Sequence, residues 1–352
     1  MNPQVHRSLA GGAAFAARFM EDMDPGRILL VCRPDSFRRS GAQSWFAQTA
    51  LASSPAFADF SSNPKEVDVS AGIARFREIG ATGIVAVGGG SVLDMAKLIN
   101  YFGSMGIVLD DYQKSPPSGT TALQPLLAVP TTAGSGSEAT HFAVVYRGHE
   151  KYSVADPRIR PSHVLLAPEF TWSMDAYQTA CCGMDALAQS IESSWALAAT
   201  DESREYAREA RTLAFHNLAS AVNTPNPENR AAMLEAAHLA GKAINLSKTT
   251  GAHAFSYVLT SEFGLPHGHA VGLLLPYFIR YHAQAGISIN GIGEPSIRNI
   301  IQEIGLNRNI PVTAMDLFAM FKQHVNLDRL ANNPVPVTRE FVMQMASGLS
   351  AG

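Results

Sequence analysis

The chain is poor in the features that mark several large classes of protein. It has only three cysteines, Cys32, Cys181 and Cys182. None forms a CxxC spacing, and the adjacent pair suits a disulfide poorly, so a reducing compartment is expected. There is no basic block, and the net charge is −3, which argues against nucleic acid as a partner. The longest apolar run, AVGLLLPYFI at 270–279, is too short for a bilayer and contains Pro276, so no membrane span is expected. The Ala-rich start is broken by Arg18, Glu21 and Asp22 and does not read as a signal peptide. These absences lead to the expectation of a cytoplasmic protein. Repeats and low-complexity tracts are also missing.

What is present reads as a globular protein of two domains. The 352 residues exceed a single ordinary core, and 46% are hydrophobic against 16% charged. In the first part, short unalternating apolar runs at 27–32, 82–87, 123–130 and 141–147 read as buried strands. Helical spacing at 66–80 and 91–102 separates them. This pattern predicts a parallel sheet covered on both faces. From about residue 170 the period is helical throughout. An α/β domain over 1–160 and an all-helical domain over 161–352 are therefore expected, joined by the proline-rich DPRIRPSHVLLAPEF at 156–170.

Two small-residue loops follow strands. GGGSVLDMAK (88–97) opens a helix; its glycines allow close backbone approach, and free N–H groups at a helix start attract phosphate. It is not GxGxxG, so the ordinary dinucleotide fingerprint is absent. PTTAGSGSEAT (130–140) adds the hydroxyls of Thr131, Thr132, Ser135 and Ser137. Two such loops at one sheet edge suit a dinucleotide, though either could be a simple turn.

A third pattern lies in the helical part. In GMDALAQSIESSW (183–195), Asp185 and Gln189 are four apart and share a helix face. His253 and His267 converge on them only if the chain bends back near GLPHG (264–268). A carboxylate and two imidazoles suit Fe²⁺ or Zn²⁺. The amide at 189 leaves three options: direct ligation through oxygen, a three-ligand site completed by water or substrate, or no metal and an amide that binds substrate. Lys242 and Lys248, in AGKAINLSKTTG just before His253, are candidate point charges for an anionic substrate, or simply solvated.

Taken in order, GGGSVLDMAK, PTTAGSGSEAT, GMDALAQSIES and the segment ending PHGHA resemble the iron-containing alcohol dehydrogenases, within the wider group that includes dehydroquinate synthase. The resemblance covers roughly residues 60–280. It implies a Rossmann-like α/β nucleotide-binding domain, an all-α C-terminal domain, an active site in the cleft between them, and commonly a homodimer. It puts Gly88, Gly89, Gly90 and Ser91 on the NAD(P) pyrophosphate, with Asp94, Lys97, Thr131, Thr132 and Ser135 along the cofactor. Asp185, His253 and His267 fall on metal-ligand positions. Gln189 stands where the family usually has a histidine ligand, and Tyr257 where it has a substrate-proximal histidine. Several stretches look like the phosphonoacetaldehyde-reducing branch, in which glutamine at this position is usual.

The expected reaction is NAD(P)H-dependent reduction of a small aldehyde, phosphonoacetaldehyde foremost, with the metal (Fe²⁺ before Zn²⁺) polarising the carbonyl. Tyr257 or His269 would relay the proton, and Lys248 backed by Lys242 would hold the anionic end. Arg33, after the first strand, favours NADPH over NADH. The alternatives are a relative acting on another small alcohol, aldehyde or maleylacetate-like substrate, a lyase of the dehydroquinate synthase kind, and a metal-free non-catalytic relative.

Overall fold

The computed structural model describes residues 3–117, 119–148, 150–289 and 291–351. The chain divides into two compact units, residues 1–132 with 137–174, and residues 133–136 with 175–352. The join expected at 160 falls inside the first unit, because the strand that follows it is part of the main sheet.

That sheet has six parallel strands: β1 (Gln4–His6), β2 (Ile28–Cys32), β3 (Ala56–Phe57), β4 (Gly83–Gly88), β5 (Leu126–Pro130) and β8 (His163–Leu165). Their spatial order is β1-β8-β5-β4-β2-β3. β2, β4 and β5 are buried at every residue, which explains their continuous apolar character. Leu29, Val31, Ile84 and Ala86 pack into a core on one face. Ile28, Leu30, Val85 and Val87 pack into a second core on the other.

One expected strand lies elsewhere. Residues 141–147, read as part of the parallel sheet, form β6 (Phe142–Arg147), which pairs antiparallel with β7 (Glu150–Ala155) in a separate ribbon. The burial of β6 alternates, as a strand with one solvated face requires.

The second unit is helical. Helices Ala176–Trp195, Asp201–Asn223, Pro227–Ser247, Gly251–Phe263 and His267–Gln284 follow one another. Gly264, at φ 64°, caps the fourth, and Pro266 precedes the fifth, so the chain turns back between His253 and His267. Among the described residues no helix is long and apolar enough to cross a membrane.

Candidate functional site

In the first unit, Gly88 ends β4 opposite Pro130, the last residue of β5. The two small-residue loops therefore leave the sheet side by side. A Cβ on Gly88 would sit 2.5 Å from Val92, and one on Gly89 would sit 3.1 Å from Thr132. Gly88 thus has no room for a side chain, and Gly89 has little. Helix Gly90–Met105 begins at once, with Gly89 as its cap, leaving its first N–H groups for an anion. The Ser91 hydroxyl accepts from the Asn63 amide at 3.1 Å.

Asp94 and Lys97 face inward. Lys97 is fully buried, and its three ammonium protons meet Ser137 Oγ at 2.9 Å, Thr140 Oγ1 at 3.0 Å and the Phe142 carbonyl at 3.0 Å. Burial pushes its pKa down to about 8 despite the charges of Asp94 and Glu138. Asp94 accepts from Ser137 Oγ at 2.6 Å and the Val144 amide at 3.0 Å. In this arrangement both residues brace the second loop against the helix, and Lys97 has no proton left for a cofactor. Arg33 caps helix Pro34–Arg39. Its neighbours Cys32 and Pro34 line a cleft of about 450 Å³ with Leu30, Phe37 and Arg38.

In the helical unit, Asp185, His253 and His267 come together, each offering a ligand atom within 4.8 Å of the others. His253 Nε2 lies 3.2 Å and His267 Nε2 3.9 Å from Asp185 Oδ1. Gly268 makes this approach feasible, since a Cβ there would lie 1.9 Å from the Cys181 carbonyl. The Asp185 and His253 side chains are 9% and 4% exposed, but His267 is 37% exposed, so the triad opens on the His267 side.

The sequence reading missed Glu192, which lies on the same helix and is fully buried. It bonds His253 Nδ1 and accepts from Thr250 Oγ1 at 3.0 Å, the Ala252 amide at 2.8 Å and the His253 amide at 3.3 Å. A carboxylate on Nδ1 fixes the imidazole's orientation and leaves Nε2 as the metal-facing atom. Its spacing was visible: Glu192 follows Gln189 by three and Asp185 by seven, on one helical face. Burial acts to raise the Asp185 pKa, but the His253 hydrogen bond, the charges of His267 and His253 and the Gln189 amide outweigh it. The net shift is downward, so the carboxylate is charged.

Gln189 is 4% exposed. Its Nε2 donates to the Ser135 carbonyl at 3.4 Å, which places Ser135 beside this amide in the helical unit. Gln189 Oε1 is buried with no hydrogen-bond partner among the described residues. Such an orphan costs about 1–3 kcal/mol, and a cation would satisfy it. The donor set and the orphan oxygen together fit a divalent metal.

The other candidates separate. The Tyr257 ring stacks on His267 at 6.3 Å and 14°. His269 is a correction: its Nδ1 pairs with Tyr177 Oη at 2.9 Å and its Nε2 with the Leu306 carbonyl at 2.8 Å. With both nitrogens committed, it ties helices together and is not placed to carry a proton. Lys242 turns its ammonium onto the Tyr206 ring, 3.6 Å from its centre. Lys248 is exposed, at φ 59° and ψ −175°.

The model of the family described as Iron-containing alcohol dehydrogenase matches residues 7–168. That of the Fe-containing alcohol dehydrogenase family, C-terminal, matches 179–345. A phosphonoacetaldehyde reductase of Streptomyces viridochromogenes is 38% identical over 254 residues, 68% of this chain and 64% of that protein, so the match spans just under two thirds of the relative. The crystal structure of sulfoacetaldehyde reductase from Bifidobacterium kashiwanohense in complex with NAD+ superposes with a TM-score of 0.88 at 30% identity, covering 100% of this chain and 97% of that one. An iron-containing alcohol dehydrogenase from Thermotoga maritima gives 0.86 at 26% identity, covering 99% and 98%.

Proposed function

This chain belongs to the iron-containing alcohol dehydrogenases, and on that premise we propose that it reduces a small aldehyde to its alcohol with NADPH or NADH, phosphonoacetaldehyde being the favoured substrate. The observation that carries the reading is the convergence of Asp185, His253 and His267, each offering a ligand atom within 4.8 Å of the others. When bound, a divalent metal (Fe²⁺ before Zn²⁺) supplies Lewis acidity at a carbonyl oxygen, and the reduced nicotinamide supplies the hydride.

The chain's own residues do the rest. Asp185 contributes the charge that holds the cation. Glu192 keeps His253 in the ligating orientation, and the Gln189 oxygen offers a fourth, neutral donor. Tyr257, against the exposed edge of the triad, donates the proton that the alcohol requires. In the first unit, the Gly88–Ser91 turn takes the pyrophosphate, with Thr131 and Thr132 beside it. Arg33 tips the coenzyme preference to NADPH. The Streptomyces phosphonoacetaldehyde reductase supports the choice of substrate.

The test is NADPH oxidation by metal-loaded protein with phosphonoacetaldehyde and, separately, propionaldehyde at equal concentration. The expected result is faster turnover of the phosphonate and loss of both activities on chelation. Equal or inverted rates would leave a general metal-dependent alcohol dehydrogenase. Activity that survives complete metal removal would overturn the metal role.

A further inference from the structure

One cation of the helical unit faces the ring that stacks on His267 and, among the described residues, has no carboxylate partner. Arg329 lies on the short helix Leu327–Leu330. Its guanidinium carbon is 6.0 Å from the centre of the Tyr257 ring, the same ring that stacks on His267. A single aromatic side chain thus touches both the guanidinium and a proposed metal ligand. One Arg329 amino group donates to the Thr249 hydroxyl. Among the described residues Arg329 makes no ion pair, whereas Arg280 and Arg298 share Glu294. The other guanidinium N–H groups are available, and the side chain is only half buried.

The anchor of this guanidinium is rigid. Asn332 Nδ2 donates to the Ser247 carbonyl at 2.7 Å and the Thr249 carbonyl at 3.1 Å, and Thr249 itself is buried. The next residue, Thr250, donates to Glu192 and accepts from Trp195 Nε1 at 2.9 Å. The segment that fixes Thr249 therefore also fixes the carboxylate that orients His253. Between Ser247 and Thr249, Lys248 sits at φ 59°, a conformation that costs a non-glycine residue energy and persists only where its surroundings impose it.

A planar guanidinium held against an aromatic face, with free N–H pairs, is a fork for two oxygens of an anion. Lys248, one residue before Thr249 and exposed, offers a point charge for a third oxygen. We propose that Arg329, seconded by Lys248, reads the anionic end of the substrate, and that the substrate class is a two-carbon aldehyde with a tetrahedral phosphonate or sulfonate on the carbon beside the carbonyl. Lys242, turned onto Tyr206, takes no part. The inference rests on the aldehyde-reductase reading and names its specificity residue.

The experiment measures kcat/KM of wild type, Arg329→Ala and Arg329→Lys with phosphonoacetaldehyde, sulfoacetaldehyde and propionaldehyde. For Arg329→Ala, the ratio of either anionic aldehyde to propionaldehyde should fall about 10- to 100-fold, the span of a lost charge-assisted pair. Most of the fall should appear in KM, as for binding shared by ground and transition states. Arg329→Lys should keep part of the ratio, and added guanidinium should restore part of it to Arg329→Ala. A merely structural arginine would lower all three substrates together. A selective wild type whose ratio survives Arg329→Ala overturns this inference alone. A wild type that reduces propionaldehyde as well as either anionic aldehyde overturns the substrate reading and this inference with it. Phosphonate and sulfonate arms that respond differently to Arg329→Ala overturn the shared oxyanion chemistry.

Discussion

An amide oxygen is a neutral and weakly basic donor, whereas an imidazole nitrogen is a strong one for Fe²⁺ or Zn²⁺. With Gln189 as a neutral donor, Asp185 is the one charged candidate ligand, a second buried carboxylate, Glu192, stands behind His253, and the strong donors are His253 and His267. Gln189→His would replace the orphan Oε1 with a nitrogen on the same helical face. Metal affinity should then rise on the order of tenfold or more, read by competition against a chelator of known affinity. An unchanged affinity would put side chain 189 outside the metal's reach. The site was partly legible before any coordinates, because Asp185 and Gln189 are related by local helix geometry. Glu192 shared that face, but its role depends on His253, 61 residues further on. Arg329 gave no local signal at all; it reaches the site through Thr249, 80 residues before it, and Tyr257.

At the level of elements, the connection between helices Pro227–Ser247 and Gly251–Phe263 carries the most unusual backbone of the helical unit. Lys248 ends the first helix, with its amide bonded to the Ile244 carbonyl at 2.8 Å, in a region where side chains with a Cβ are strained. Lys248→Gly should relieve that strain and raise stability by about 1 kcal/mol, seen as a higher midpoint of thermal unfolding. A lower midpoint would mean that the lysine side chain contributes more than its backbone costs. No sequence pattern announces such a residue, because lysine here looks like any solvated helix end. The elements themselves were easier to read. Unbroken apolar runs gave β2, β4 and β5, since both faces of those strands are buried. β6 was assigned to the wrong sheet because its apolar content resembles theirs, while its partner β7 (Glu150–Ala155), with one fully buried residue, was too polar to be noticed.

For the molecule as a whole, a net charge of −3 is too small to set the pH dependence of stability, which falls instead to buried ionisable groups. His282 is the clearest case away from the metal ligands. Its ring is fully buried, and it meets Trp195 edge-on with centroids 4.4 Å apart. Burial drives its pKa from 6.5 down to about 4, against a smaller upward pull from Glu192 and Asn333. A histidine that stays neutral in the fold, but takes a proton once unfolded, makes the unfolded state bind more protons between those two values. Stability must then fall as pH drops from 6.5 towards 4, and the contribution levels off below that. The loss from this one residue should be about 2 kcal/mol between about pH 7 and about pH 5, at 1.36 kcal/mol per pH unit. His282→Phe keeps an aromatic ring against Trp195 and removes the titration. Its unfolding free energy should therefore be less sensitive to acid than that of the wild type, by about that amount. Parallel pH profiles for the two proteins would show that the ring protonates within the fold, and that the acid sensitivity arises elsewhere.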